Sequence, residues 1–343
     1  MRICSKAFLL FLGVLLGAEL IARVFFVQTL SGRFDYGYAP KAGFVEHADG
    51  RVDLVRAGGR RFFPQTFSMH RPADTFRIMV IGDSVPRGKN VASSYAGQLG
   101  TLLNDSGIRT ESLNLCVPGF GARRKQVVLE QALKYEPSLI ILHVNGSNEF
   151  EDEREWKRHE EFQSNHPQNW LMKSVILRRL YEANNEKVFW ELLPVEVRNQ
   201  RAVSDADAEV FASVNAEKLR AWGELMRTTT ESCLQMAEKA GVPVIAISQA
   251  GIDLQASQGP LLIDQDFIQW LYPLESLHVA CLSMKEVLSK HDFVKLYADT
   301  SHLKPEGHLI MAKAIRDLLE QRKWLPSALY AIPASPGHPA GAE

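Results

Sequence analysis

Short apolar runs alternate with amphipathic segments along most of the chain. The apolar runs predict five strands, at residues 76–81, 111–115, 139–145, 242–248 and 293–297. Apolar residues at helical spacing predict helices at residues 92–104, 123–135, 216–240 and 305–321. Such alternation is typical of an α/β fold, in which helices cover both faces of a parallel sheet. We therefore expect a three-layer α/β/α domain.

The amino terminus has a different pattern. Residues 7–18, AFLLFLGVLLGA, are all apolar or glycine and follow the basic residues Arg2 and Lys6. Together with the apolar residues that follow, this stretch reaches the roughly 20 residues needed to span a bilayer. Glu19 and Arg23 lie one helical turn apart and can pair, which lowers the cost of inserting them. We expect residues 1–30 to be an uncleaved membrane anchor with its basic end in the cytoplasm. The alternative is a cleaved signal peptide and a secreted protein.

Other segments interrupt or follow the alternation of strands and helices. Residues 31–73 carry turn signals without periodicity, so we expect a linker there, followed by one domain at residues 74–325. Two insertions are expected in that domain, at about residues 151–213 and 251–289. The first begins with the charged run EDEREWKR and contains several tryptophans, which favours a mostly helical cap or wall. The tail, residues 326–343, is rich in Pro, Ala and Gly and is expected to be disordered.

The composition of the 343 residues narrows the functional classes. A net charge of -1 gives no electrostatic basis for binding nucleic acid. The four cysteines, Cys4, Cys116, Cys233 and Cys281, have no Cys-x-x-Cys spacing, which argues against a zinc site and a disulfide framework. A single disulfide bond between Cys233 and Cys281 is kept as an alternative. We interpret Cys116 as a packed apolar thiol rather than a nucleophile.

Two short motifs supply the parts of a nucleophilic hydrolase. Ser84 lies in GDSVPRG, directly after the first predicted strand of the domain, where glycines permit a sharp turn at the carboxyl edge of the sheet. Asp299 and His302 lie in DTSH. Because a serine hydroxyl needs a base and the base needs an orienting group, we predict Ser84 as nucleophile, His302 as base and Asp299 as orienting carboxylate. Asp299 could instead cap a helix, but Pro305 favours a cap at Lys304.

Four motifs occur in an informative order along the chain. They are GDSVPRG at residues 82–88, Asn114 with Gly119 five positions later, GSNE at residues 146–149, and Asp299 with His302. Together they resemble the sequence blocks of the SGNH (GDSL) hydrolase superfamily. The resemblance implies a flavodoxin-like, five-stranded parallel sheet and catalysis without a metal or organic cofactor. It also implies an oxyanion hole formed by the Ser84 N–H, the Gly119 N–H and the Asn148 amide. On the sequence alone, Gly119 and Asn148 fit ordinary turns equally well.

Three residues in or near these motifs need separate interpretation. Glu149 stands where the superfamily has Asp, and its longer side chain is expected to alter how Asn148 is held. Arg87 is expected to face solvent, with attraction of an anionic substrate as the alternative. His308 is interpreted as a packed structural histidine rather than a second base.

The resemblance implies a serine esterase or deacylase that forms an acyl–enzyme at Ser84. With the expected anchor, it favours small acyl esters, in particular acetyl esters, of cell-envelope or exported carbohydrate, with the catalytic domain outside the cytoplasm. Two alternatives stay open. One is an O-acyltransferase that uses the same triad, and the other is a non-catalytic envelope scaffold or carbohydrate-binding protein.

Overall fold

The fold was obtained as a computed structural model. The structure describes residues 2–30, 37–38, 43–54, 62–146, 148–163, 174–177, 180, 214–257, 259–264 and 268–326. The tail expected to be disordered lies outside the described residues apart from its first position. Most of the insertion expected at 151–213 also lies outside them.

We number the strands and helices of the described residues in chain order. The strands are β1 Phe44–Glu46, β2 Arg51–Leu54, β3 Gln65–Ser68, β4 Phe76–Gly82, β5 Thr110–Cys116, β6 Leu139–Val144, β7 Val244–Ser248, β8 Ala250–Asp253, β9 Leu261–Asp264 and β10 Val279–Ser283. The helices are α1 Arg2–Leu30, α2 Ser84–Arg87, α3 Tyr95–Asp105, α4 Ala122–Ala132, α5 Glu149–Gln163, α6 Ala216–Lys239, α7 Ile268–Leu271, α8 Met284–Leu288, α9 Phe293–Leu296 and α10 Pro305–Arg322.

Five parallel strands form the central sheet in the order β10-β7-β6-β4-β5. Counted along the chain this is the order 2-1-3-4-5, which is the flavodoxin-like order that the resemblance implied. Strand β4, which lies between β6 and β5, is buried over its whole length, as expected for a strand covered on both faces. The predicted three-layer α/β fold is confirmed.

Alternate residues of β4 face two different helical layers. Ile78 and Val80 belong to a buried cluster with residues of α3 and α10, among them Leu99. Met79 and Ile81 belong to the opposite cluster, with residues of α4 and α6. Because successive side chains of a strand point to opposite faces, a continuous apolar run fills both cores.

The fifth strand of the sheet differs from the prediction. Residues 293–297, predicted as a strand, form the short helix α9 instead, with Leu296 buried and Val294 exposed. The strand that completes the sheet is β10, which pairs with β7 and lies inside the insertion expected at 251–289. The prediction was wrong because residues 293–297 and strand β10 are both very short apolar segments. At such a length, the spacing of apolar residues does not distinguish a strand from a helical turn.

The segment expected to be a linker contains a small antiparallel sheet. Strands β1, β2 and β3 pair in that order, and Phe44, Val52 and Phe67 are buried in the same core cluster as one face of the central sheet. These strands have three or four residues each. Strands that short show too little alternation to be recognised in the sequence.

The amino-terminal helix α1 is largely exposed along its apolar side chains. Its segment Lys6–Val24 has a mean hydropathy of 2.1 over 19 residues, so its length and composition would allow it to cross a membrane. The predicted ion pair forms, with Arg23 Nε 3.0 Å from Glu19 Oε1. The carboxylate of Glu19 also accepts hydrogen bonds from the Ser174 hydroxyl and the Val175 N–H, both at 2.8 Å.

Candidate active site

Ser84 begins the short helix α2 at the carboxyl end of strand β4. The preceding Asp83 caps this helix, since its Oδ1 accepts a 2.9 Å hydrogen bond from the Val85 N–H. A Cβ at Gly82 would lie 2.4 Å from Pro86 Cγ and 2.9 Å from His143 Cβ, so only glycine fits there. The chain therefore turns tightly enough to leave the Ser84 side chain partly exposed at the edge of the sheet.

The structure brings Ser84, His302 and Asp299 together. His302 Nε2 lies 2.9 Å from Ser84 Oγ, and His302 Nδ1 lies 2.8 Å from Asp299 Oδ2. A carboxylate can only accept, so Nδ1 carries the proton and Nε2 is free to accept from the serine hydroxyl. This tautomer follows from the hydrogen-bond network and is the one that a general base requires.

Asp299 also organises the loop that carries His302. Its Oδ1 accepts 2.8 Å hydrogen bonds from the backbone N–H groups of Ser301 and His302. Burial raises the pKa of Asp299, but these N–H groups and the His302 side chain outweigh burial and hold the pKa below its usual value. Asp299 is thus a stable carboxylate at neutral pH. Helix α10 begins at Pro305 with Lys304 as its cap, as predicted, and does not use Asp299.

The two other residues expected at an oxyanion hole follow the strands on either side of β4. Gly119 lies after β5 with φ of +74°, a backbone conformation that favours glycine. Asn148 lies after β6, and its Nδ2 is buried without a hydrogen-bond partner among the described residues. Ser84 N–H begins a helix and so has no acceptor within it. Three donors are thus placed at one edge of the sheet by the strand order β6-β4-β5.

Arg87 differs from its expected position facing solvent. Its Nη1 donates a 2.8 Å hydrogen bond to the Cys116 carbonyl oxygen, and its guanidinium lies 3.8 Å from the centre of the Phe63 ring. The side chain is half-buried and ties the Ser84 turn to the end of β5. That expectation was wrong because the guanidinium has both a carbonyl and an aromatic face to bind.

His308 and Cys116 are packed, as interpreted from the sequence. His308 is buried, and burial, with smaller contributions from His143 and His302, lowers its pKa to about 4. Burial likewise raises the pKa of the Cys116 thiol well above its usual value, so the thiol is not a nucleophile. Cys116, Cys233 and Cys281 are all free thiols, so the bridge left open between the last two is not formed.

Sequence reasoning missed two buried ion pairs next to the site. Lys125 Nζ lies 2.9 Å from Asp83 Oδ2, and Arg124 Nε donates to Asp152 Oδ1. Both cations lie in the run ARRKQ of α4, which by composition would be assigned to an exposed helical face. Nothing in the local sequence signals that their partners come from other strands and helices. No group of three possible metal ligands occurs within the residues that the structure describes.

Comparisons with known proteins found similar folds only. No protein-family model and no curated protein matches the sequence. Among solved structures, the acetyl xylan esterase AlAXEase is 12% identical, with a TM-score of 0.43 over 71% of this chain and 99% of that chain. TesA is 13% identical, with a TM-score of 0.41 over 72% and 99%. A variant of the acetyl-xylooligosaccharide esterase Axe2 from a Geobacillus species is 14% identical, with a TM-score of 0.40 over 73% of this chain and 96% of that chain.

Proposed function

We propose that this protein is a serine esterase or deacylase that forms an acyl–enzyme at Ser84. The observation that carries the proposal is the continuous chain of contacts from Ser84 Oγ to His302 Nε2, at 2.9 Å, and from His302 Nδ1 to Asp299 Oδ2, at 2.8 Å. These are the distances at which a base can take the proton of the nucleophile while a carboxylate orients it.

The proposed reaction proceeds in two half-reactions. Ser84 Oγ attacks the ester carbonyl carbon as its proton passes to His302 Nε2, and the carbonyl oxygen becomes an oxyanion. The tetrahedral intermediate then expels the alcohol, which takes the proton from His302, and Ser84 is left acylated. Water then attacks the acyl carbon as its proton passes to His302, and the second tetrahedral intermediate collapses. The carboxylic acid leaves, and His302 returns the proton to Ser84 Oγ.

The oxyanion is proposed to accept hydrogen bonds from the Ser84 N–H, the Gly119 N–H and the Asn148 amide. The unpartnered and buried Nδ2 of Asn148 supports this role, because a buried donor without an acceptor is costly unless a ligand supplies one. Donors fixed before the charge develops stabilise the transition state more than the ground state.

The substrate is proposed to be an acyl ester, in particular an acetyl ester, of cell-envelope or exported carbohydrate. The His302 and Asp299 side chains are 44% and 56% exposed among the described residues, so a bulky ester can reach them. We place the catalytic unit at residues 74–325, held outside the cytoplasm by α1 as a membrane anchor. The length and mean hydropathy of α1 support this placement, because its apolar segment Lys6–Val24 is about long enough to span a bilayer.

Labelling and turnover of the detergent-solubilised full chain test the proposal. A fluorophosphonate probe should label Ser84, identified by peptide mass, and the chain should hydrolyse an activated acetyl ester. Ser84→Ala is the control for both measurements. A folded wild-type chain that neither labels nor turns over would instead favour the scaffold. Faster release of the acyl group when a sugar alcohol is added, with the acylated sugar as product, would favour the acyltransferase.

A further inference from the structure

The Gly119 N–H and the Asn148 amide, the two oxyanion donors on either side of Ser84, are carried by separate loops at the carboxyl end of strand β4. Gly119 is in the loop from β5 to α4, and Asn148 is in the turn from β6 to α5. Strand β4, which ends at Gly82 just before Ser84, lies between β5 and β6 in the sheet. The backbone of the sheet alone therefore does not fix the separation between these two donors, and side chains that join the loops must do so.

Two carboxylates of α5 bind the loop that follows Gly119. Asp152 Oδ1 accepts a 2.9 Å hydrogen bond from the Gly121 N–H, and Glu149 Oε1 accepts a 2.8 Å hydrogen bond from the Ala122 N–H. Both acids are buried, each with 1% of its surface exposed. The Asp152 N–H in turn donates to the Asn148 carbonyl oxygen at 2.9 Å. The residue that carries one donor is thus joined through Asp152 to the loop that carries the other.

A buried arginine completes the connection. Arg124 donates from Nε to Asp152 Oδ1 and from Nη2 to the Gly119 carbonyl oxygen. Its guanidinium also lies 4.5 Å from the centre of the Phe120 ring, and the Tyr38 hydroxyl donates to the Asp152 carbonyl oxygen at 2.9 Å. Because a guanidinium is planar and rigid, one side chain fixes the direction of both of its hydrogen bonds.

Stability alone does not explain why these charged side chains are buried around Arg124. Three buried acids, Glu149, Asp152 and Glu155, interact electrostatically with the Arg124 guanidinium. The second oxygens of Glu149 and Asp152 have no hydrogen-bond partner among the described residues. Well-packed apolar side chains of similar volume are often as stable as a buried ion pair, or more stable. The backbone groups in these hydrogen bonds belong to Gly119 and Asn148 themselves, or to Gly121 and Ala122 in the same loop as Gly119.

We propose that Arg124, Asp152 and Glu149 are positioning residues that hold the Gly119 N–H and the Asn148 amide at a fixed separation. This inference rests on the proposed esterase function. The three residues do not touch the substrate, and they act by preventing the two donor loops from moving apart. Since the donors bind the developing oxyanion more strongly than the ground-state carbonyl, their misplacement should lower kcat and leave KM nearly unchanged.

The molecule offers a matched control for a buried arginine. Arg77 of β4 is fully buried, and it donates to Glu111 and to the carbonyl oxygens of Tyr135 and Ser68. It lies at the amino end of the strand, opposite the edge that carries Ser84. Arg77→Lys and Arg124→Lys therefore make the same chemical change in similar surroundings at opposite ends of the sheet.

The test compares these variants in the full-length protein, using kcat and KM on an activated ester together with thermal unfolding. Both lysine variants should unfold at a lower temperature than wild type. Only Arg124→Lys should lower kcat, by roughly 10–10²-fold, which is somewhat less than the decrease caused by removing a whole oxyanion donor. Combining Arg124→Lys with Asn148→Ala should cost less than the product of the single losses, because the separation of the two donors no longer matters once the Asn148 amide is absent.

Three other outcomes would contradict either the esterase proposal or the positioning role. Wild-type protein without turnover or Ser84 labelling would overturn the esterase proposal and this inference with it. An active wild type in which Arg124→Lys and Arg77→Lys lose kcat equally would overturn only the positioning role. Losses of Arg124→Lys and Asn148→Ala that multiply would also overturn it.

Discussion

The ammonium group of Lys125 donates a 2.9 Å hydrogen bond to Asp83 Oδ2, and the two side chains are only 5% and 0% exposed. Asp83 is the residue before Ser84 and caps the helix that Ser84 begins. Burial raises the pKa of Asp83, but the charge of Lys125 and a smaller contribution from His143 outweigh burial and hold the pKa below its usual value. The turn that presents Ser84 is thus fixed by a buried ion pair.

Removing the ammonium group should destabilise the protein strongly. In Lys125→Met the carboxylate of Asp83 would be left buried without its counter-charge, which typically costs about 3–5 kcal/mol of the free energy of unfolding. Denaturant unfolding measures this loss. The double variant Asp83→Asn with Lys125→Met should be more stable than Lys125→Met alone, because the unpaired charge is then absent.

An exposed lysine pair serves as control for that prediction. Lys295 Nζ lies 2.7 Å from Asp292 Oδ2, with 83% and 60% of the side chains exposed. Exposed pairs of this kind contribute little, so Lys295→Met should leave the unfolding midpoint nearly unchanged. Equal losses in Lys125→Met and Lys295→Met would contradict the structural role of the buried pair.

The triad residues should act as one unit. Ser84→Ala and His302→Ala should each remove nearly all turnover, and the double variant should be little worse than either. Asp299→Asn should cost less, since it disturbs the orientation and charge of the base while leaving Ser84 and His302 in place. Steady-state kinetics with thermal melting checks all four proteins, and single losses that multiply would show that the residues act independently.

Asn148→Ala should lower kcat by roughly 10²–10³-fold, the usual cost of losing one oxyanion donor. Its Nδ2 has no hydrogen-bond partner in the described part of the molecule, so truncation removes no intramolecular bond of that atom. The melting temperature should therefore hardly change. A variant that melts much lower but keeps its turnover number would mean that Asn148 has a structural role instead.

The sequence predicts best what depends on short segments. The motifs around Ser84 and His302 are local, and the apolar strand β4 that ends beside Ser84 is long enough to identify, whereas the strand expected before His302 is the helix α9. The pairing of the two motifs follows from the chemistry of a triad, which needs a base and a carboxylate beside the serine, and not from a strand end, because the loop that carries Asp299 and His302 comes after α9.

The remaining features depend on residues that are distant in the sequence. Arg124 and Lys125 are buried because Asp152 and Asp83 meet them from other elements, and no local pattern encodes that meeting. Strand β10 was missed for a related reason. Its five residues belong to the sheet because β7 offers a free edge there, which becomes visible only once the other strands are assembled.

Glu149 should make stability depend on pH. Burial, with a further contribution from Asp152, raises the pKa of Glu149 from its usual value of 4.5 to about 7. Between these two values the folded protein binds a proton that the unfolded chain has lost, so this group stabilises the fold at low pH, and that stability is lost as the pH rises toward 7. The change amounts to at most about 1.4 kcal/mol for each pH unit.

Glu149→Gln isolates this contribution, because glutamine cannot titrate while the other groups, including the buried histidines, are common to both proteins. The free energy of unfolding of the variant relative to wild type should rise as the pH increases from about 4.5 to about 7, and it should stay constant above that range. Denaturant titrations at half-unit pH steps measure the difference. Glu151→Gln, on the same helix, controls for the loss of an acidic residue there. A Glu149→Gln difference that does not vary with pH would mean that Glu149 is already ionised when buried.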